Sequence, residues 1–336
     1  MASEQQYIEL YEQARQVIFD HAPEAMNAVR DQAFADFRQL GFPSRKVERY
    51  KYTDMDQLFA PDYGVNLSRL EIPVDPYQAF RCDVPNLSTS LYFVINDAFY
   101  TKMQPKGHLP EGVIVGSVRA YPELAAKYYA KLAKTSDDAV TALNTMLAQD
   151  GMLVYVPRNV KVDRAIQVIN ILKATPQNAQ RVVPDLMVNR RVLIILEEGA
   201  EIKMLFCDHA ADDRNFLATQ VIEAYVGDNA SLDLYCLEET HYKNVRVSNV
   251  YIDQQANSRV NHNVITLHNG ITRNKLDLTF SGEGAECHCY GCVIADKQQH
   301  VDNNTLITHR VPHCTSNELY KYCLLYTSPS PRDATL

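Results

Sequence analysis

Apolar side chains at Tyr7, Leu10, Tyr11, Ala14, Val17 and Ile18 recur three and four positions apart, the spacing that lines one face of a helix. A second series, Met26, Val29, Ala33, Phe37 and Leu40, stops at Gly41 with Pro43 beyond, as a helix end should. Two helices are therefore predicted at the start of the chain. From Lys46 to Pro110 the pattern is mixed, with short strand-like runs such as Leu91 to Ile95 set among prolines. Pro122 opens another helical stretch, with a break expected at Ser136 to Asp138 and an end at Asp150-Gly151.

Beyond Gly151 the period changes. Met152 to Val156, Ile166 to Leu172, Leu186 to Leu196 and the remainder to Leu319 read as short β runs separated by turns. A repeat runs through them, seen in Glu198-Gly199-Ala200-Glu201-Ile202-Lys203-Met204, Asp228-Asn229-Ala230-Ser231-Leu232-Asp233-Leu234, Gln255-Ala256-Asn257-Ser258-Arg259-Val260 and Glu283-Gly284-Ala285-Glu286-Cys287-His288-Cys289. Each copy is a turn, an alanine and then alternation, and the alanines stand 26 to 30 residues apart. That interval suits one coil of two or three strands. A single coil cannot cover its own apolar face, so neighbouring coils stack and bury a continuous column between them. The predicted fold is thus mainly β with α: an N-terminal helical and mixed region over residues 1–150, then a parallel β-helix over 151–321. An antiparallel sandwich is the structural rival, since its strands also alternate at short intervals.

Composition then narrows the function classes. With 336 residues, 46% of them hydrophobic and 22% charged, the chain has the make-up of an ordinary globular protein. A net charge of -8 argues against a general nucleic-acid binder, which needs a basic face. No run of about 18 apolar residues is available to span a bilayer, and Met1 to Gln6 lack the basic start of a secretory signal. A cytoplasmic protein with no membrane partner is expected. Five of the eight cysteines crowd between Cys287 and Cys323, unlike the even framework of a small disulfide-linked domain. Thiols, either buried or acting as ligands, are expected.

Cys287-His288-Cys289 followed by Cys292 has the density of soft ligands that suits zinc, copper or an iron-sulfur centre. Counted from the turn alanine, however, Cys287 and Cys289 take the places held by Ile202 and Met204, and by Leu232 and Leu234. Those places point inward, so core packing is the favoured reading. A second cluster comprises His300, Asp302, His309, His313 and Cys314; His309, His313 and Cys314 are weak candidates for a metal or cluster-transfer site, against a role in holding turns. No phosphate loop and no nucleophile elbow occurs, and Gly282-x-Gly284 sits in a turn rather than opening a helix. No catalytic residue and no cofactor-binding residue is assigned, and no enzyme is expected. Ser44-Arg45-Lys46-Val47-Glu48-Arg49-Tyr50-Lys51-Tyr52-Thr53 interleaves charge with aromatics and reads by default as a solvated connector.

Two of these stretches carry a resemblance. Phe42 to Thr53 is similar to the segment that opens SufD proteins, with Tyr50 where that family usually has tryptophan, and Val311-Pro312-His313-Cys314-Thr315-Ser316-Asn317-Glu318-Leu319-Tyr320-Lys321 resembles a SufD signature more closely. Leu153 to Val160 and Glu197 to Ala200 are also alike. The resemblance implies a right-handed parallel β-helix flanked by helical regions. It implies a non-catalytic subunit of the SUF iron-sulfur cluster assembly complex, paired with a SufB-like paralogue and bound by a SufC-like ATPase. No cofactor is then held by this chain alone; the iron-sulfur cluster belongs transiently to the assembled complex. After Lys321 the likeness lapses, so residues 322–336 read as a tail foreign to the family, as if the chain were truncated before the C-terminal region that carries the ATPase-binding surface and cluster-handling histidine. Two rival functions stay open. A SufB-like scaffold would use cysteine ligands such as Cys287, Cys289 and Cys292. A coil-shaped carbohydrate-active enzyme would need a carboxylate-lined face, for which only Asp253, Asp277 and Asp296 offer themselves.

Overall fold

A computed structural model describes residues 3–79, 88–102, 109–174 and 185–325. The two predicted N-terminal helices form as α1 (Glu4–Asp20) and α2 (Glu24–Leu40), and α2 ends at Gly41, whose φ of 56° only glycine adopts freely. Next come α3 (Met55–Phe59), β1 (Gly64–Val65), α4 (Pro76–Ala79), β2 (Ser90–Ile95), β3 (Ala98–Phe99) and β4 (Ile114–Ser117). The helical stretch opened by Pro122 is interrupted sooner than expected, α5 (Pro122–Tyr128) ending well before Ser136 and α6 (Ala139–Leu147) beginning after it, and Asp138 caps α6 by accepting a hydrogen bond from the Thr141 amide.

From there the chain winds into stacked parallel coils, a solenoid of about five turns. Each coil gives one strand to each of two sheets. The first sheet takes β5 (Met152–Val156), β7 (Leu186–Leu196), β9 (Phe216–Val226), β11 (Val245–Gln254), β13 (Ile271–Phe280) and β15 (His300–His309). The second takes β6 (Ile166–Leu172), β8 (Glu201–Ala210), β10 (Ser231–Glu239), β12 (Arg259–His268), β14 (Glu286–Ala295) and β16 (Thr315–Leu324). Neighbouring coils pair in parallel, which removes the antiparallel sandwich. Residues 322–324, read from sequence as foreign tail, continue β16, with Tyr322 opposite Val293 and Leu324 opposite Ala295. Residues 326–336 lie outside the described residues.

The register corrects one step of the repeat. Ser231 stands beside both Glu201 and Arg259, and Arg259 beside Glu286, so the equivalent turn residues are Ala200, Ala230, Ser258 and Ala285, followed by Cys314. Ser258, 1% exposed, takes the place that sequence assigned to Ala256. What marks the bend is the residue just before: Gly199, Asn229, Asn257, Gly284 and His313 all have φ between 55° and 73°. Glycine and asparagine tolerate this left-handed conformation best, and histidine is among the next most common. The turns also link coil to coil, since the amides of Gly199, Asn229 and Asn257 donate to the carbonyls of Asp228, Ala256 and Glu283 at 2.8 to 2.9 Å.

Side chains two and four places past Ala200, Ala230 and Ala285, and two past Ser258, point into one dry column. Ile202, Met204, Leu232, Leu234, Val260, Cys287 and Cys289 lie there with Ile194, Ile222, Ile252 and Leu278 of the facing sheet. The outer face of the first sheet is covered by the N-terminal layer: α1, α2 and α6 pack Tyr7, Tyr11, Phe37 and Leu143 against Met187, Leu217 and Val247. Leu232→Ala should cost about 2–5 kcal/mol of stability and Tyr235→Ala, on the outer face three places on, under about 1 kcal/mol, as read by chemical denaturation.

Candidate functional site

The Ser44 to Thr53 stretch is not a free connector. A short 3-10 turn over Glu48–Tyr50 presses Arg49, Tyr50 and Thr53 onto the outer face of the first sheet, while Arg45, Lys46 and Tyr52 stay exposed. Arg49 pairs with Asp277 on β13 and donates to Asn304 on β15 at 3.1 Å. The Tyr50 hydroxyl donates to Asp138, and the Arg273 guanidinium lies 4.2 Å from the Tyr50 ring centre. Thr53 donates to Asp302 at 2.6 Å, and Arg273 pairs with the same carboxylate while donating to the Arg49 carbonyl. Lys275 completes the seam, 3.1 Å from Asp138 and 3.2 Å from Asp277.

Burial alone would raise the Asp138 pKa. The Lys275 charge and hydrogen bonds from Tyr50 and the Thr141 amide outweigh it and hold the carboxyl below its ordinary value. A second anchor lies nearer α5. Buried Glu223 accepts from the amides of Ala130, Leu132 and Ala133 and pairs with Arg191 at 2.6 Å. Arg30, also buried, donates to the carbonyls of Met146 and Ala148 at the C-terminus of α6, where a cation complements the helix dipole.

The sequence-predicted site residues are dispersed. Cys287 and Cys289 fill the dry column, and the thiol contact with Cys287, then burial, pushes the Cys289 pKa far up. His288 faces outward, 2.6 Å from Glu286, and Cys292 is exposed on the same strand. His300 and Asp302 are engaged by Thr53. His309 packs against Phe280 at 4.6 Å between ring centres, His313 makes the left-handed bend, and Cys314 fills the small-residue position after it, with its thiol toward the Gly282 carbonyl. Among the described residues, no group of three or more His, Cys, Asp and Glu is placed to hold a metal ion. The three acids of the carbohydrate-enzyme reading do not converge: Asp277 is ion-paired, Asp253 accepts from Ser281 and Gln255, and Asp296 lies beyond the end of β14.

Sequence reasoning missed a polar belt inside the solenoid. Asp208 sits between Arg190 and Arg246, with Glu238, Gln220, Ser248, Thr272 and Asn274 around them, all facing the interior and all buried. Their signal was present as charged residues at positions whose alternation points inward, such as Asp208 after Met204 and Phe206.

Residues 1–168 match the family described as SufBD protein N-terminal region, and residues 177–330 match SUF system FeS cluster assembly, SufBD core domain. Similar curated proteins include the chloroplastic protein ABCI7 of Arabidopsis thaliana, 23% identical over 90% of this chain and 63% of its own length. A chloroplastic iron-sulfur cluster assembly SufBD family protein of the same plant is 23% identical over 89% of this chain and 56% of its own length. An iron-sulfur cluster assembly SufBD family protein of Staphylococcus epidermidis is 24% identical over 61% of this chain and 42% of its length. The chain thus spans less than two thirds of the curated relatives it matches. No helix among the described residues is long and apolar enough to cross a membrane.

Removing Arg273 strands Asp302 in a buried setting, so Arg273→Ala should cost about 3–5 kcal/mol, against about 0.5 kcal/mol or less for exposed Arg45→Ala, both read by urea denaturation. Because the folded Asp138 pKa lies below 3.8, its contribution is present above that pH and is lost as pH falls further; Asp138→Asn should flatten the acid limb of the stability curve. Alkylation of the native chain followed by mass spectrometry should label exposed Cys292 and Cys323 and reach Cys287 and Cys289 only after unfolding.

Proposed function

Since the chain belongs to the SufBD family of iron-sulfur cluster assembly proteins, we propose that it acts as a SufD-like, non-catalytic subunit working with a SufB-like paralogue and a SufC-like ATPase. A cluster would then be the cargo of the assembled complex rather than a resident group of this chain. The observation that carries the SufD side of the reading is the placement of Cys287 and Cys289, which serve as packing atoms in the column instead of facing a cargo. The two SufD-like stretches add weight, because each does structural work in the same region: Arg49, Tyr50 and Thr53 hold β13 and β15, while His313 and Cys314 form the turn into β16. A cytoplasmic location belongs to the same proposal. Two Arabidopsis relatives are chloroplastic, and fractionation of the source cells distinguishes the compartments.

A SufB-like scaffold is the second reading, favoured only by the exposed thiols of Cys292 and Cys323 on the outer face of the second sheet. Affinity purification from the native cell should recover a nucleotide-binding ATPase and a paralogous β-solenoid protein with this chain; repeated recovery of neither would count against the proposal. Anaerobic reconstitution with iron and sulfide separates the readings. A visible absorption band that disappears in Cys292→Ser would favour SufB, and its absence in the isolated chain is the SufD outcome.

A further inference from the structure

We infer that Glu238 is a proton-binding site inside the solenoid, through which the wall formed by β10, β11 and β13 becomes firmer in mildly acid medium and looser in mildly alkaline medium. The geometry sets Glu238 apart from its neighbour in the belt. Asp208 lies between two guanidiniums, Arg190 donating a hydrogen bond from one side and Arg246 Nε ion-paired 3.0 Å away on the other without hydrogen-bond alignment. Glu238 has no such partner: Arg246 Nη1 stands 3.8 Å off and is engaged at 2.8 Å by Asn274. What does touch the Glu238 carboxyl is a hydroxyl, Thr272 Oγ1, at 2.9 and 2.8 Å, with Thr240 at 3.5 Å.

Every element packed around it contributes to the balance. The charged neighbours are Asp208 on β8, Arg190 on β7 and Arg246 on β11; Cys236 on β10 and His262 on β12 are the nearby titratable groups, while Gln220, Thr266 and Thr272 are neutral. Burial pushes the Glu238 carboxyl up to about 7, with Asp208 adding to the shift and Arg246 and the hydroxyls opposing it. Other buried polar atoms of the same interior, Arg190 Nη2, Gln220 Oε1 and Thr266 Oγ1, have no hydrogen-bond partner among the described residues and so do not offset the Glu238 charge.

Between the ordinary glutamate value of 4.5 and about 7, the folded chain holds a proton that the unfolded chain has released. Stability from this group is therefore full below 4.5 and is lost as pH rises toward 7. His262 works in the opposite sense, because burial and Arg246 lower it to about 4. The informative quantity is consequently the difference between wild type and Glu238→Gln, which leaves His262 in place.

Urea denaturation of both proteins from pH 5 to 8.5 should show the ratio of their unfolding constants changing about tenfold per pH unit up to pH 7 and levelling above it. Glu238→Gln becomes the more favoured partner as pH rises. A ratio that is the same at pH 5 and pH 8 overturns the inference. If Glu238→Gln does not fold, infrared spectroscopy of wild type with carboxyl-labelled glutamate decides at pH 6.5, where ordinary glutamates are ionised: a carboxylic-acid carbonyl band present at pH 6.5 and gone by pH 8.5 supports the site. Only carboxylate bands at pH 6.5 would refute it.

Discussion

Each coil of this solenoid is dry inside only because its neighbours repeat the same left-handed bend one rung away. The bend at Gly199, Asn229, Asn257, Gly284 and His313 fixes which side chains point inward, and the parallel register carries that phase from strand to strand. Shifting one coil by a single residue would send Leu232 and Leu234 out and Asp233 and Tyr235 in. Apolar residues in the column, the small residues after each bend and the position of the outer face all follow from that phase. The cysteines obey it as well, which is why a dense thiol motif becomes packing.

The outer face of the first sheet is joined to the N-terminal layer differently. Alongside apolar contacts, buried charges meet there: Arg191 with Glu223, Lys275 with Asp138, and Arg273 with Asp302. Such pairs contribute little net stability relative to apolar packing, since both charges must leave water. Their effect here is to admit one position. Glu223 needs the amides of Ala130, Leu132 and Ala133 in the segment after α5, and Asp138 needs the first turn of α6, so a layer displaced by one residue would leave buried charges without partners.

Much of this was legible in the sequence. Pattern located α1, α2, the start of α6 after Asp138 and the change of period at Gly151, because each depends on local sequence alone, whereas the interruption before Asp138 opens already at Tyr129. Alternation placed Cys287 and Cys289 in the core for the same reason. Alignment on alanine slipped at Ala256, however, since the bend is defined by backbone conformation, and asparagine with a following small residue was the better marker than alanine. The Arg49, Tyr50 and Thr53 seam could not be read at all: its partners on β13 and β15 lie more than two hundred residues away, and a charged aromatic stretch looks the same whether it faces water or a buried sheet. The interior belt was hidden by an assumption that inward means apolar, although Asp208 and Glu238 stood at inward positions.

The partners of Arg49 also set an order of events during synthesis. Asp277 follows it by 228 positions, so at typical ribosome speeds the N-terminal helices emerge roughly 10 to 45 s before the strand they will clasp exists. For the first part of that interval, until β7, β9 and β11 are made, the apolar flank of α1 and α2 has no sheet to rest on. That flank is therefore open to water until translation has passed β11, and the clasp of Arg49 closes only once β13 follows.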